Sequence, residues 1–509
     1  MQAIRRWRNP LLWLLISLAL FVLGRSSLLR DPGTFWHTVL GQRMVIRGEL
    51  VRDDFFTFTR ASESWLALQW LPEIAMGIGH WLGGWDLLLA TTCFGLGWLY
   101  ARLLVRWLDC GLHPLAAAFL AVIVLLASSH HFHVRPHLVT IGLLALSMAI
   151  LVDCESGRAP PARLSLLAPL FVLWTNCHGG VLAGIATLVI VGSGWACLAW
   201  RRSDETARYR VLGLWGIAIS AICGLAMLIN PYGAEMPVAW ARIMTMRLPN
   251  IIEEHAPLDW AHGETWGVVV LGGLYCLALF TAERPLRATW LVPLVWWALA
   301  WTRVRHAPLF AVVTAIALAD LLPHTRLSRW LKPGDWFRDP TPSAGSSAHT
   351  SPAAWLVACG LMVVVLLGPM LGWQVPLAGR GWAQHAVDRW PVELVRELQS
   401  IERQHPGARL YNSLGLGGFV EFHAPGLRTM IDDRCELFGN EFLERYVESE
   451  RGTRGHTIAW ADDWHCQFAL VPQQSPQAEE FRNSSHWRLR AAAISACLFE
   501  RCPFPENCD

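Results

Sequence analysis

The chain has 509 residues, 53% of them hydrophobic and 16% charged, and 42 Lys+Arg nearly balance 40 Asp+Glu to give a formal net charge of +2. Soluble domains carry about 25% charged residues. That shortfall, a mean hydropathy of +0.33 and 29 Trp exclude an ordinary soluble enzyme, a disordered chain and an electrostatic nucleic-acid binder. What is left is an α-helical polytopic membrane protein with a soluble appendage.

A bilayer core takes about 20 mostly apolar residues per helix. Spans are expected near 11–29, 86–106, 115–130, 138–152, 164–176, 180–200, 211–229, 265–282, 289–302, 307–322 and 353–372. Arg5, Arg6 and Arg8 precede the first span, which places the N-terminus in the cytoplasm. No small-residue cleavage site follows, so this first helix reads as a retained span.

The stretch Leu66–Leu82 is apolar enough to be a twelfth span. If it crossed, the basic loops around Arg201, Arg202, Arg208 and Arg210 and from His324 to Arg338 would fall outside. With eleven spans those loops lie inside, as the charge bias requires. Leu66–Leu82 is then a surface helix with Gln69, Glu73 and His80 on one polar stripe. The expected organisation is a transmembrane domain over 1–372, whose first outer loop, 30–85, contains a juxtamembrane helix, and an outer α/β domain over 373–509.

The first outer loop is dense in chemistry. It begins Arg30-Asp31-Pro32-Gly33-Thr34-Phe35-Trp36-His37 and continues to Arg52-Asp53-Asp54-Phe55-Phe56-Thr57-Phe58-Thr59. Asp31 stands where the first span leaves the membrane, and a carboxylate there is costly unless solvated, paired or used. Helix capping would also account for it.

The remaining outer loops are polar as well: His130-His131-Phe132-His133-Val134-Arg135-Pro136-His137, Asn176-Cys177-His178-Gly179-Gly180, Asn230-Pro231-Tyr232-Gly233, Glu253-Glu254-His255 and Arg303-Val304-Arg305-His306. Each has a bland alternative, such as snorkelling for Arg303 and Arg305 or a turn for Asn230–Gly233. Gathered on one side, they suit a phosphate-bearing substrate and a general base. His130, His131, His133 and His137 are alternatively metal ligands, although Pro136 interrupts their helical spacing. There is no HExxH, P-loop or GxSxG.

The loop 323–352 holds Pro340-Thr341-Pro342-Ser343-Ala344-Gly345-Ser346-Ser347, a linker composition. Residues 373–509 carry 14 Arg against 19 Asp+Glu and only short apolar runs. Helices are expected at Trp390–Leu398 and Glu441–Glu448. Strands are expected at Arg409–Asn412, Phe419–Phe422, Thr429–Ile431, Phe468–Val471 and Ala496–Glu500, with Gly415-Leu416-Gly417-Gly418 as a turn between two of them. Five of the 13 cysteines lie here (Cys435, Cys466, Cys497, Cys502 and Cys508) with no deducible pairing.

An N-in first helix, an acid opening the first outer loop, a juxtamembrane amphipathic helix, many spans and a terminal outer domain resemble the GT-C superfamily of integral membrane glycosyltransferases. The chain is similar over nearly its whole length to bacterial GT-C-like proteins that share DPxxxWH…G…DxFTFT…W, RPH, NxHGG and NPYG segments and a late R-H. The resemblance implies a bacterial cytoplasmic-membrane enzyme that transfers a hexosyl or pentosyl group from a polyprenyl-phosphate-linked donor to an acceptor at the outer face. Asp31 would be the catalytic acid, with Asp53 or Asp54 as a second acid and a divalent metal ion left open as cofactor. His37, Arg135, His137, His178, Arg303, Arg305 and His306 would bind substrate, the arginines taking the lipid phosphate. The chain lacks a WWDYG-type signature and the HPPL segment of the O-mannosyltransferases; Gln69-Trp70-Leu71-Pro72 stands near the latter's place. The acceptor therefore does not carry over. A transporter or flippase, or a non-enzymatic scaffold for lipid-linked saccharides, is the alternative reading.

Overall fold

The computed structural model describes residues 2–201, 206–246, 255–330, 351–373, 381–453 and 455–502. Glu253, Glu254, Cys508 and the linker at 340–347 lie outside the described residues.

The chain opens with α1 (Gln2–Gly24) and a short helix α2 (Gly33–Arg47) in the first loop, then α3 (Trp70–Asp109), α4 (Pro114–Ser129), α5 (Leu138–Ser156), α6 (Leu167–Cys177), α7 (Val181–Arg201) and α8 (Thr206–Ala226). It continues with α9 (Glu235–Thr245), α10 (Gly263–Phe280), α11 (Val292–Thr302), α12 (Ala307–Leu321), α13 (Arg326–Trp330) and α14 (Pro352–Met370). Among the described residues seven helical stretches are long and apolar enough to cross a membrane, and Pro114–Ser129, Ala288–Thr302 and Pro352–Gly368 are shorter apolar ones. This is a membrane protein. The expected span at 164–176 is a short 3-10 turn, Pro161–Leu166, running into the eleven-residue α6.

Helix α3 is two helices end to end. Gly83 and Gly84 interrupt it with non-helical backbone, and Gly84 has φ +59°, a conformation that favours glycine. The break separates Trp70–Leu82, most of the ambiguous stretch, from the apolar span that follows. Its polar stripe faces protein and not water: Glu73 is buried, and His80 lies against Gln42, Trp85 and Phe422. The cause is small residues. A Cβ on Gly41 would sit 1.8 Å from the Glu73 carbonyl oxygen, and one on Gly77 would sit 2.5 Å from the Gln42 nitrogen. Glycines thus let α2 and α3 approach backbone to backbone.

From residue 395 the chain forms α15 (Val395–Gln404), β1 (Arg409–Asn412), α16 (Gly417–His423), β2 (Arg428–Thr429), α17 (Cys435–Glu450), α18 (His456–Asp463), β3 (Phe468–Pro472), α19 (Pro476–Arg482), β4 (Trp487–Ala492) and β5 (Ala496–Arg501). The sheet order is β2-β1-β3-β5-β4. β1 pairs in parallel with β2 and β3, while β5 runs antiparallel to β3 and β4. Two apolar clusters pack the sheet, and one of them receives Phe35 from α2 among Trp390, Leu398, Phe419 and Leu498.

The expected strand at Phe419–Phe422 is instead part of α16, and its Gly417-Gly418 pair opens that helix. The reason is again close approach: a Cβ on Gly418 would lie 2.4 Å from the Pro32 carbonyl oxygen, and one on Gly417 would lie 2.4 Å from that of Ile431. The glycines serve helix docking onto the first loop, not a hairpin turn. The first loop also joins the sheet edge: Thr57 bridges Thr429, the Phe58 N–H donates to the Thr429 carbonyl at 3.0 Å, and Thr59 Oγ1 donates to the Met430 carbonyl at 2.6 Å.

Candidate active site

Asp31 and Arg135 meet although 104 residues separate them. The Arg135 Nη1 donates to Asp31 Oδ2 at 3.0 Å, and the Gly33 N–H donates to Asp31 Oδ1 at 2.7 Å. Asp31 therefore both holds the first N–H of α2 from the residue before its N-cap and forms an ion pair, and each oxygen keeps acceptor capacity. The loop carrying Arg135 is fixed against the first loop, since Thr34 Oγ1 donates to the Val134 carbonyl at 3.0 Å and the Val134 N–H donates to that of Leu28 at 2.9 Å. The other side of Arg135 faces Asp433, whose carboxylate lies 3.7 Å from Nη2 and accepts the Trp36 indole N–H at 2.6 Å. One guanidinium thus bridges a carboxylate from the end of the first span and one from the C-terminal sheet region.

Arg135 lines a cavity of about 700 Å³. His137, His178, Arg303, Arg305 and His306 line it too. Its apolar wall comes from α7 and α11, through Leu182, Ala186, Ile190, Val295 and Leu299. His178 is held by Nδ1, which accepts the Gly180 N–H at 2.9 Å and lies 2.9 Å from Thr140 Oγ1. With Nδ1 accepting, the ring proton of the neutral form sits on Nε2. His137 Nε2 lies 2.8 Å from the His131 carbonyl, and the two ring centroids are 4.1 Å apart with their planes tilted by 42°. Arg305 Nη1 lies 3.2 Å from His255 Nε2. His306 Nδ1 donates to the Leu299 carbonyl at 3.1 Å. Among the described residues no carboxylate pairs with Arg303.

Four expected site residues do not line this cavity: Asp31, which reaches it only through its ion pair with Arg135, and His37, Asp53 and Asp54. His37 is fully buried, 2.8 Å from Glu73 Oε1 and packed against Trp36 with the rings tilted; it supports two wall residues from behind. Asp53 is exposed, and its backbone bridges Ser64. Asp54 is buried and committed: it accepts N–H bonds from Phe56 and Thr57, the Thr57 hydroxyl at 2.6 Å, and the Arg434 Nη2 at 2.6 Å. Arg434 is itself buried, paired with Asp432 at 2.6 Å and packed over Phe56 and Trp65. Asp54 is thus a joint between the first loop and the C-terminal sheet region, and a second acid must be sought elsewhere.

The wall contains such acids. Asp433 and Glu436 come from the run Ile431-Asp432-Asp433-Arg434-Cys435-Glu436, and Glu73 comes from α3. Burial pushes the Glu436 carboxyl above its ordinary range, opposed by a hydrogen bond from the Trp65 indole at 3.0 Å. Nothing in the sequence marks Asp433 and Glu436, because they lie some 400 residues from Asp31. Glu73 had one, the polar stripe.

Asn176 and Tyr232 are structural. Asn176 Oδ1 accepts the Trp70 indole N–H at 3.0 Å, its amide donates to the Ile229 carbonyl at 2.9 Å, and the Tyr232 hydroxyl donates to the Val51 carbonyl at 3.1 Å. Among the described residues no three of His, Cys, Asp and Glu converge to hold a metal ion. The nearest acids, Asp31 and Asp433, are already bridged by a guanidinium, so neither the histidine loop nor these carboxylates form a ready ligand set.

No family model matches the chain, and no curated protein matches it. Solved structures do. The Archaeoglobus fulgidus oligosaccharyltransferase in its apo form superposes with a TM-score of 0.55 at 13% identity, covering 92% of this chain and 70% of that one. The same enzyme tethered by a disulfide to an acceptor peptide containing the NVT sequon gives 0.53 at 11% identity, covering 92% and 69%. The chain has a GT-C-like fold.

Proposed function

We propose that the protein is a membrane glycosyltransferase that moves a sugar from a polyprenyl-phosphate-linked donor to an acceptor at the outer face of a bacterial cytoplasmic membrane. The observation that carries this reading is a single cavity with an apolar membrane-level wall, Arg303 and Arg305 at its polar end, and the Asp31–Arg135–Asp433 bridge beside it. A lipid phosphate suits guanidinium groups, and its isoprenoid chain suits the wall formed by α7 and α11. Cys502 is disulfide-bonded, which fits an oxidising compartment for the C-terminal region.

In this mechanism Asp31 takes the proton of the acceptor nucleophile, which attacks the anomeric carbon as the bond to the lipid phosphate breaks. Arg303 and Arg305 neutralise the departing phosphate. Arg135 positions Asp31.

The test is sugar release or transfer by the purified protein from a labelled polyprenyl-phosphate sugar in detergent. A flippase leaves the donor intact there, as does a scaffold. Asp31→Asn is expected to remove the activity while the protein still purifies and melts as the wild type does. Full activity of that variant would take Asp31 out of the mechanism.

A further inference from the structure

A second cavity, of about 870 Å³, lies between α1 and α4. Its lower walls are apolar, formed by residues such as Leu15, Leu20, Leu23, Val122 and Leu125. Several of them are exposed side chains of helices read as membrane spans, among them Leu15 at 61%, Leu23 at 80% and Val122 at 63%. The groove therefore opens sideways onto lipid. Its upper end changes character: Arg30, Arg389, His130, His133 and His262 line it, with Asp31 and Glu264 as the acids. Arg30 pairs with Asp388 at 3.0 Å. Arg389 donates to the Arg30 carbonyl at 3.3 Å and packs over Trp390, and among the described residues no carboxylate neutralises it.

This groove adjoins the proposed site. Asp31 lines the groove, its partner Arg135 lines the first cavity, and His131 lines both. A carboxylate and a guanidinium in contact thus stand between two membrane-level chambers.

We propose that the groove between α1 and α4 holds the acceptor, and that the acceptor is a lipid with a phosphate-bearing headgroup. An apolar trough ending at Arg389, a guanidinium without a carboxylate partner among the described residues, matches an amphiphile with an anionic head; a hydrophilic polypeptide would leave the trough uncovered. The proposal rests on the glycosyltransferase reading for its chemistry. The headgroup hydroxyl gives its proton to the Asp31 carboxylate, and its oxygen forms the new bond to the anomeric carbon. The bond from that carbon to the donor phosphate breaks, and the electron pair leaves with the phosphate toward Arg303.

Lipid retention tests it without a transfer assay. The full chain in detergent is presented with dilauroyl phosphatidylglycerol or with phosphatidylcholine of the same chains, and bound lipid is counted by native mass spectrometry. Phosphatidylglycerol should be held roughly tenfold better than phosphatidylcholine, about 1.4 kcal/mol. The groove-filling double variant Leu20→Trp/Leu125→Trp should lose that binding, and Arg389→Glu, a polar-end change that leaves the span packing untouched, should abolish the preference. Arg303→Ala should retain both. Equal retention of the two lipids, or undiminished phosphatidylglycerol binding in the groove variants, overturns the proposal. Binding lost only in Arg303→Ala places the phospholipid in the first cavity, which overturns the acceptor groove but leaves the proposed function standing. The expected lipid pattern without sugar transfer from any donor keeps the groove and removes the enzyme.

Discussion

The two ends of the same helices carry charge in opposite ways. At one end of α5, α11 and α12 lie His137, Arg303, Arg305 and His306, around a cavity in which Arg303 has no carboxylate partner among the described residues. At the other end Asp320, fully buried, accepts Arg158 Nη1 at 2.6 Å, the Trp290 indole N–H at 2.9 Å and the Arg287 guanidinium. Beside it Glu155 accepts the backbone N–H groups of Ala288 and Thr289 at 2.8 and 2.9 Å and the Thr289 hydroxyl at 2.6 Å. Asp153 takes Arg106 and Arg158. None of these residues lines either cavity described above. Arg305 and Asp320 are 15 positions apart, roughly 22 Å along a helix. A charge cluster that satisfies itself holds helices together, whereas one that leaves a cation facing a cavity has a vacancy to fill.

Four experiments break or sharpen that contrast. Asp31→Asn is expected to slow sugar transfer by about 10²–10⁴-fold, the contribution of a general base, with an unchanged melting temperature. Asp320→Ala should do the reverse, since it leaves the buried Trp290 indole N–H without its acceptor, at a cost of about 1–3 kcal/mol, and takes the carboxylate from the half-buried Arg287. Its thermal midpoint in detergent should fall steeply while transfer per folded molecule stays within about twofold. Arg303→Ala removes a charge-assisted contact worth roughly 1.5–3 kcal/mol; it should raise KM for the donor with little change in melting, and a large loss of stability would place Arg303 with the opposite end.

The smallest effect concerns pH. Burial lowers the His385 and His423 imidazoles from 6.5 to about 4, and both pack on Phe35. Since their folded values lie below the unfolded value, the unfolded chain binds more protons between those limits. Their contribution to stability is fully present above pH 6.5 and is lost as pH falls toward 4. Melting temperature should decline over that window, and His423→Phe should flatten the decline.

How much was legible in sequence follows from range. The loops that reach the first cavity announce themselves through short motifs, Arg135-Pro136-His137, His178-Gly179-Gly180 and Arg303-Val304-Arg305-His306, because polar residues at span ends contrast with apolar neighbours. Asp53 and Asp54 carried the same contrast but face away or into Arg434, and nothing local distinguishes a catalytic carboxylate from a structural one. Asp433 and Glu436 stayed hidden because their importance depends on a docking that no periodicity encodes. Phe419–Phe422 is a short apolar run that reads as a strand, yet it folds as a helix because Gly417 and Gly418 must touch Ile431 and Pro32. The two-residue break at Gly83-Gly84 divides the ambiguous stretch from the apolar run after it, a division that hydropathy alone does not mark.

The contact of Gly418 with Pro32 has a consequence for biogenesis. The carbonyl it covers belongs to the residue next to Asp31, and Phe35 on the same helix finishes an apolar cluster built from residues 390–498. Ribosomes release the first loop long before those residues exist. The amino-terminal segment therefore waits, unfinished, until the last strands of the polypeptide have been made.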